Sequence, residues 1–175
     1  MRVEVREMCE ADVDAVSAVR VRGWQSAYAG IVPQAYLDAM TVEDDARRRR
    51  AWFTDPLRKS TELVALDADG TDGALVGWIS CGPYRGSAEA RTGEVYALYV
   101  RPDRIGSGVG RALLGAVHAR MEALRFEALA LWVLAGNRQA RRFYERAGYR
   151  ADGAAQEDDY GDVSLTELRY RRPMP

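Results

Sequence analysis

The segment from Glu94 to Leu114, EVYALYVRPDRIGSGVGRALL, constrains the fold of this chain more than any other. Its first residues are rich in β-branched and aromatic side chains and end at an Arg-Pro pair, which predicts a strand over residues 94–100. Gly106, Gly108 and Gly110 follow, and after them apolar residues recur at helical spacing. The sequence therefore predicts a strand that leads into an amphipathic helix through a glycine-rich turn.

A junction of this kind is suited to bind an anion. The first amides of a helix have no partner within the helix, and the helix dipole places about half a positive charge beside them. Glycines allow a phosphate to approach without a Cβ in its way. We therefore predict a phosphate-bearing ligand at this turn, with an ordinary tight turn as the alternative. The spacing matches neither the dinucleotide fingerprint GxGxxG nor the motif GxxxxGK[ST].

Length and charge are typical of a globular protein with one domain. The 175 residues suit a single domain over residues 1–175, because domains commonly have about 100–200 residues. The chain carries 25 basic and 26 acidic residues, a net charge of −1, so nothing indicates binding to nucleic acid or to a membrane surface. No apolar run approaches the roughly 20 residues of a membrane span, and residues 1–12 lack the features of a signal peptide. We therefore expect a cytoplasmic location.

Cysteine and histidine are scarce in this chain. Cys9 and Cys81 are too few for a disulfide framework, and we expect two buried, reduced thiols. His118 is the sole histidine, so a His-rich metal site cannot form and we predict no metal. Because His118 falls within the helix that follows the glycines, we expect it to have a surface or capping role.

Periodicity and turn residues predict a mixed α/β fold. The predicted elements are, in chain order, strand 2–8, helix 10–28, short helices 34–40 and 43–53, strands 61–67, 75–81 and 94–100, the helix after the glycines, strand 129–134, helix 137–147, and strands 149–151 and 163–170. Asp69-Gly70 and Asp72-Gly73 predict a hairpin. The acidic segment 156–162 is predicted to separate the last two strands, which form a terminal hairpin. This order predicts a mixed sheet with helices on both faces.

Two motifs resemble the GCN5-related N-acetyltransferase (GNAT) superfamily. Its acetyl-coenzyme A signature, Gln/Arg-x-x-Gly-x-Gly/Ala, is similar to Ile105–Gly110, IGSGVG, in which both glycines match and Ile105 replaces the leading Gln or Arg. The segment Asn137–Tyr149 is similar to the superfamily pattern N-x-x-A-x-x-F-Y-x-x-x-G-F. The resemblance extends over residues 1–171. It implies the acyl-coenzyme A N-acyltransferase fold, a central, mostly antiparallel sheet with helices on both faces.

The resemblance also implies where acetyl-coenzyme A binds. Strands 94–100 and 129–134 would separate, and the pantetheine arm of the cofactor would enter the gap and bond to the first strand. An amide near Tyr99, left unpaired by a bulge, would polarise the thioester carbonyl. The residues assigned to the cofactor in this way are Leu98, Tyr99, Val100, Arg104, Ile105, Gly106, Ser107, Gly108, Val109, Gly110, Arg111, Asn137, Arg141 and Tyr144.

Two residues are predicted to be catalytic in a direct attack by an amine. Tyr144 would protonate the leaving thiolate, whose free pKa is about 8.5. A core tyrosine with a satisfied hydroxyl is the alternative. Glu94 would remove a proton from the amine, and a solvated glutamate at the end of a strand is the alternative.

The acceptor is predicted to be the amine of a small molecule or of a peptide or protein. Trp24, Tyr28 and Tyr36 surround a Gly-Pro break between helices and would bind an apolar or cationic acceptor, unless they pack in the core. A homodimer is common among the proteins that this chain resembles. The alternative function is a non-catalytic module that binds or senses acyl-coenzyme A.

Overall fold

The computed structural model describes residues 2–70, 74–86 and 91–175. Within these residues, seven strands form one sheet and five α-helices pack against it. The strands are β1 (Val3–Glu7), β2 (Thr61–Asp67), β3 (Leu75–Pro83), β4 (Thr92–Val100), β5 (Ala128–Leu134), β6 (Arg150–Tyr160) and β7 (Val163–Pro173). The helices are α1 (Val13–Ala27), α2 (Gln34–Asp38), α3 (Val42–Phe53), α4 (Val109–Ala123) and α5 (Arg138–Arg146).

The sheet has the strand order β1-β2-β3-β4-β5-β7-β6. Neighbouring strands are antiparallel except β4 and β5, which pair in parallel over Thr92–Val95 and Ala128–Leu131. The predicted mostly antiparallel sheet is therefore confirmed. Beyond these four pairs, β4 continues along β3 to Val100 and β5 continues along β7 to Leu134, so the two strands separate.

Helices bury apolar residues on both faces of the sheet. On one face α4 and α5 cover a core that includes Leu63, Ile79, Val95, Leu113, Val117, Met121 and Tyr144. On the other face α1 and α3 cover Val13, Val16, Ala46, Val64 and Trp78. Burial of each of the larger apolar side chains contributes about 1.5–3 kcal/mol. The predicted arrangement, with helices on both faces, is confirmed.

The strand β6 is longer than the sequence predicted. Residues 156–162 were expected to connect two strands, but β6 continues to Tyr160 and the turn occupies residues 161–162. Asp and Glu disfavour strands, yet within the described sheet β6 is an edge strand paired with β7 alone, and its acidic side chains extend into solvent. Charges at such an edge also prevent pairing with another chain. The terminal hairpin itself is confirmed.

The hairpin of β2 and β3 is also confirmed by their antiparallel pairing. Its second turn signal, Asp72-Gly73, lies outside the described residues, as does part of the loop 85–93.

Both cysteines are free, but only Cys81 is buried. The expectation of two buried thiols was wrong for Cys9, because this residue caps a short 3-10 turn at the surface. Among the described helices, none has the length and apolar character needed to cross a membrane.

Candidate active site

A cleft with a volume of about 1170 Å³ opens where β4 and β5 separate. Strand β4 lines it from Glu94 to Val100, and β5 lines it with residues 132–134. Its walls come from α1, from the glycine turn with α4, and from α5, while β6 and β7 contribute residues at one end. The structure thus contains the gap predicted between strands 94–100 and 129–134.

Backbone groups of β4 face this gap. The amide of Arg101 donates to the carbonyl of Val76 at 2.9 Å, so these two residues form a hydrogen-bonded pair. Hydrogen-bonded and non-hydrogen-bonded pairs alternate along an antiparallel ladder. The backbone of Tyr99 therefore bonds to β3, whereas the amides and carbonyls of Leu98 and Val100 point away from β3 and into the gap. The amides available to a ligand belong to the two neighbours of Tyr99 rather than to Tyr99.

A β-bulge marks the start of this stretch. Ser80 lies opposite Ala97 but Cys81 lies opposite Val95, so Tyr96 is an extra residue in β4. Val95 is also the last residue of β4 that pairs with β5. Bulges increase the local twist and re-aim the strand. The bulge therefore coincides with the point at which the two strands separate.

The glycine turn forms an open cradle before α4. Gly106 and Gly108 have φ angles of +83° and +96°, in the left-handed region that favours glycine. Gly108 is the N-cap of α4. A Cβ built on either glycine would meet no described atom within 4 Å. The first amides of the 15-residue helix α4, from Val109 to Arg111, have no partner within the helix.

Several side chains of the turn lie away from the cleft or at its rim. The Ser107 hydroxyl donates to the carbonyl of Arg104 at 2.6 Å, and Val109 is fully buried beneath the turn; neither side chain lines the cleft. Ile105 lines the rim with 49% of its surface exposed. Ligand contacts here are consequently made available by the backbone more than by side chains.

Three arginines line the cleft near α4. Arg104 also forms an ion pair with Asp67, with 3.3 Å between nitrogen and oxygen. Arg111 and Arg146 are exposed and line the cleft from α4 and α5. Arg146 was not predicted from the sequence. It lies three residues after Phe143, which also lines the cleft, so both residues lie on one face of α5.

Arg141, a predicted cofactor residue, does not line the cleft. Its Nε donates to the Tyr170 hydroxyl and its Nη1 to the carbonyl of Ala135, both at 3.0 Å. The sequence assigned it to the cofactor together with Asn137 and Tyr144, which lie four residues before it and three residues after it. Its long side chain instead points toward these two acceptors, of which Tyr170 lies in β7.

Asn137 and Tyr144 lie on the cleft side of α5. Asn137 is the N-cap, since its Oδ1 accepts a hydrogen bond from the amide of Ala140 at 3.0 Å. Tyr144 is 9% exposed. Burial raises the pKa of Tyr144, and the nearby hydroxyls of Tyr28 and Tyr149 raise it further. The stable form of this side chain at neutral pH is therefore the neutral phenol.

Aromatic side chains from α1, β4 and β6 form the opposite part of the cleft. The ring of Trp24 lies 4.7 Å from that of Tyr28 and 5.9 Å from that of Tyr160, centroid to centroid. The hydroxyls of Tyr28 and Tyr99 are 3.3 Å apart, and burial raises the pKa of both. Tyr36 contacts Trp24 at 6.2 Å but is 38% exposed and does not line the cleft. Tyr160 was missed because it lies in the acidic segment predicted to be a loop.

The close approach of α1 to β4 explains the position of these rings. A Cβ added to Gly23 would lie 2.9 Å from Cδ1 of Tyr99, so only glycine lets the Tyr99 ring pack against α1. The Nε1 of Trp24 is buried and has no hydrogen-bond partner in the described chain. The ring of Trp24 lines the cleft, while its indole N–H lies buried behind the surface.

Glu94 lies in the cleft wall, held by Arg85. It is 1% exposed, and its carboxylate accepts hydrogen bonds from the Arg85 backbone nitrogen at 2.9 Å, from Nε at 3.1 Å and from Nη2 at 2.6 Å. The alternative of a solvated glutamate at the end of a strand was therefore wrong. The bonds from Arg85 stabilise the charged carboxylate and occupy both of its oxygens.

A second carboxylate, Glu167 of β7, lines the same cleft. It is half-buried and accepts a single described hydrogen bond, from Nε2 of Gln156 to its Oε2 at 2.8 Å. Burial raises the pKa of Glu167, and the charge of Asp158 raises it further. Glu167 was not predicted as a site residue, because no local pattern in the sequence shows the strand order that brings it to the cleft.

His118 differs from its expected surface or capping role. It is half-buried on α4, lines the cleft, and its Nε2 lies 3.0 Å from the hydroxyl of Tyr149. Burial lowers the pKa of His118 to about 4, and the charge of Arg172 adds to the effect. At neutral pH the imidazole is therefore uncharged.

Comparisons with known proteins agree with this geometry. The N-acetyltransferase YuaI of Bacillus subtilis is 29% identical over 135 residues, which are 77% of this chain and 73% of that protein. Mycothiol acetyltransferase of Propionibacterium freudenreichii is 44% identical over 126 residues, which are 70% of this chain but 37% of that longer protein. The crystal structure of the PaiA N-acetyltransferase of Thermoplasma acidophilum in complex with coenzyme A has a TM-score of 0.76 at 19% identity and covers 99% of both chains.

A family model provides the assignment. The model of the acetyltransferase (GNAT) family matches residues 24–149, which include the cleft-lining parts of α1, β4, α4 and α5. The match covers well over half of the chain and contains both motifs on which the resemblance rested. The chain therefore belongs to the GNAT family of acetyltransferases.

Proposed function

We propose that this acetyltransferase transfers the acetyl group of acetyl-coenzyme A to the primary amine of a small molecule by direct attack. The observation that carries the proposal is the gap between β4 and β5. There the backbone groups of Leu98 and Val100 have no strand partner on the β5 side among the described residues, and the glycine turn opens beside them. The relative named for mycothiol supports a small-molecule acceptor.

The gap and the turn fit the two ends of acetyl-coenzyme A. An extended pantetheine arm would bond to the free backbone groups of Leu98 and Val100 in the manner of an added strand. The pyrophosphate would occupy the open space before α4, where Gly106, Gly108 and the free amides of the first turn meet it. Arg111 and Arg146 line this part of the cleft and would supply positive charge.

Acetyl-coenzyme A supplies an activated thioester, and the chain supplies the groups that act on it. A β4 amide that faces the gap, that of Leu98 or Val100, would stabilise the negative charge that develops on the carbonyl oxygen. Tyr144, kept neutral by burial, would donate its proton to the departing sulfur, as the sequence predicted. The family motif and the position of Tyr144 in the cleft wall support this assignment.

The acceptor amine would enter beside the aromatic side chains. Trp24, Tyr28, Tyr99 and Tyr160 offer their rings to the carbon chain or to a cationic group. An alkyl amine with a pKa of about 10 arrives protonated and must lose a proton before it attacks. The sequence prediction gives this task to Glu94, and Glu167 lies in the same cleft.

An assay of acetyl transfer tests the proposed function. Purified protein would be incubated with acetyl-coenzyme A and a panel of small amines, amino acids and peptides, while free thiol and acetylated product are followed. We expect thiol release that depends on a small amine, with one acetylated product of matching mass. Acetylation of the peptides alone would contradict the small-molecule acceptor. Binding of acetyl-coenzyme A without any product would favour the non-catalytic module.

The predicted homodimer is tested separately, because family resemblance alone supports it. Sedimentation velocity of the purified chain would give its mass in solution. We expect the mass of two chains of 19.5 kDa, and a single chain across the accessible concentration range would contradict the prediction.

A further inference from the structure

Among the described residues, three carboxylates line the cleft. Asp158 is exposed, Glu94 is buried and Glu167 is half-buried, so their environments differ. Both oxygens of Glu94 are occupied by Arg85, so this residue is held as a charged ion pair. Glu167 has one described hydrogen-bond donor, Gln156, which bonds to Oε2 and leaves Oε1 free to accept from a ligand. A group that takes a proton from an acceptor needs a free lone pair. Oε1 of Glu167 accepts no hydrogen bond from a described residue, whereas each oxygen of Glu94 already accepts at least one from Arg85.

Strand register places Glu167 beside the gap. Glu167 lies opposite Leu134, the last residue of β5 and one of the residues beyond the parallel pairing with β4. Residues directly opposite each other share a face of the sheet. Leu134 packs in the cluster that contains Tyr160, Trp24 and Tyr28, so Glu167 lies on the same face as these aromatics. This is the end of the cleft at which the acceptor would bind.

The charges around Glu167 favour a proton on it. Two negative groups are near it, Asp158 of β6 and Glu94 of β4. The positive group is Arg85, which is already bonded to Glu94. The other titratable neighbours are the hydroxyls of Tyr28 and Tyr160, which are neutral. Half-burial and the neighbouring negative charges raise the pKa of Glu167 above that of an ordinary glutamate. A carboxylate with a raised pKa is a stronger base, and ammonium is a favourable partner for it.

We propose that Glu167 accepts the proton that the acceptor's ammonium group loses before attack. This inference rests on the proposed function. The N–H bond breaks and its proton passes to Oε1 of Glu167, while the nitrogen lone pair forms the C–N bond with the acetyl carbon. The C–S bond then breaks, the sulfur keeps the electron pair and Tyr144 gives it a proton. The attacking nitrogen, which still carries two hydrogens, releases one of these protons to solvent and becomes the neutral amide nitrogen. Glu167 returns its proton to solvent, and Tyr144 regains one in the same way.

The variant Glu167→Gln tests the proposal through the pH dependence of the reaction. Glutamine keeps an oxygen that accepts from Gln156 but takes no proton. At pH 7 we expect kcat/KM for the amine to fall at least about thirtyfold, with unchanged affinity for acetyl-coenzyme A. The deficit should shrink about tenfold per pH unit as the free amine forms in solution, up to the pKa of the amine. A deficit that is the same at every pH, or no deficit, would overturn the proposal.

Two further variants serve as comparisons. Glu157→Gln changes an exposed carboxylate of the same hairpin, which bonds to Thr166 Oγ1 at 2.7 Å, and should leave kcat/KM within twofold of the unaltered protein. Glu94→Gln should reduce the rate by a factor that does not change with pH, since its partner Arg85 is displaced. If Glu94→Gln shows the pH-dependent deficit instead, Glu94 is the base and Glu167 is not.

A measurement without turnover separates this inference from the proposed function. Carbon-13 NMR titration of the side-chain carboxyls, with Glu167→Gln to assign the signal, should give a midpoint for Glu167 above the ordinary glutamate value of about 4.3. A midpoint at or below that value would contradict the assignment even in an active enzyme. If the midpoint is raised but no amine is acetylated, the proposed function fails, and the role of Glu167 fails with it.

Discussion

Burial raises the pKa values of several tyrosine side chains in the cleft. The pKa values of Tyr28, Tyr99 and Tyr144 are all raised, with burial as the largest cause, so the three hydroxyls stay protonated at neutral pH. A neutral phenol next to a departing thiolate can donate a proton, whereas a phenolate cannot. All three residues were selected as catalytic or binding residues from the sequence. Their hydroxyl environment depends on packing, which no local pattern encodes.

The variant Tyr144→Phe isolates the proposed proton donor. The ring and its packing remain, so affinity for acetyl-coenzyme A should be unchanged, while turnover should fall at least about tenfold because the departing thiolate loses its acid. Steady-state thiol release and calorimetric titration measure the two quantities. Tyr36→Phe is the control, since Tyr36 does not line the cleft, and it should keep its rate. An unchanged rate in Tyr144→Phe would identify Tyr144 as a core tyrosine only.

Among the elements, the β4–α4 junction was the most predictable. Its signals are local, since an apolar run, a proline and alternating glycines specify a strand, a stop and a helix start within 21 residues. The end of β6 had no such signal, because acidic residues form a strand there through pairing with β7 at the sheet edge. Tyr160 and Glu167 were not predicted as cleft residues, because no local pattern in the sequence shows that they reach the cleft. Strand order is a long-range property, and it decides which of these side chains reach the cleft.

The variant Gly108→Ala tests the turn as a phosphate cradle. An alanine with φ near +96° costs about 1–2 kcal/mol, and its Cβ would project into the open space before α4. We expect the Kd for acetyl-coenzyme A to rise at least about tenfold, a change of 1.4 kcal/mol, in a calorimetric titration.

A matched variant separates backbone strain from ligand contact. Gly153 of β6 has a φ of +92° and open space around its Cβ position, and it does not line the cleft. Gly153→Ala should therefore lose a similar free energy of unfolding but keep its affinity for acetyl-coenzyme A. Equal affinities in the two variants would exclude the turn from the binding site.

At the scale of the whole molecule, a buried network of charges connects α3 to the sheet. Glu62 of β2 is 4% exposed and accepts hydrogen bonds from Trp78 Nε1 at 2.6 Å and from Ser80 Oγ at 2.5 Å. Arg49 of α3 lies 3.9 Å from the Glu62 carboxylate and 4.3 Å above the Trp78 ring. The Trp78 ring stacks on Tyr99 in turn. The network thus connects α3 to Tyr99, a residue that lines the cleft.

The variant Glu62→Gln should destabilise the fold without altering the site directly. Arg49 keeps its ion pair with Asp45 at 3.4 Å but loses the negative charge of Glu62. Loss of one member of a buried ion pair costs about 3 kcal/mol. Urea denaturation would measure the free energy of unfolding, with Glu122→Gln on the exposed side of α4 as a control that should change it by less than about 0.5 kcal/mol. A Glu62→Gln protein as stable as the original would show that the network contributes little.

The overall architecture followed from the sequence through the two motifs rather than through periodicity. Element order alone predicted a mixed sheet with helices on both faces, but it left open the strand order and the parallel pairing of β4 with β5. The resemblance of Ile105–Gly110 and Asn137–Tyr149 to a known family implied both the sheet and the gap. The direction of a side chain, such as that of Arg141, is evident only from the three-dimensional structure.

The central claim is that the gap between β4 and β5, together with the glycine turn, binds acetyl-coenzyme A. Calorimetric titration of the purified protein with acetyl-coenzyme A, and with 3′-phosphoadenosine 5′-diphosphate, which lacks the pantetheine arm, tests it most directly. We expect a single site for acetyl-coenzyme A and affinity at least about tenfold weaker for the fragment, because the fragment makes no bonds to β4. Absence of acetyl-coenzyme A binding, or equal affinity for both compounds, would contradict it.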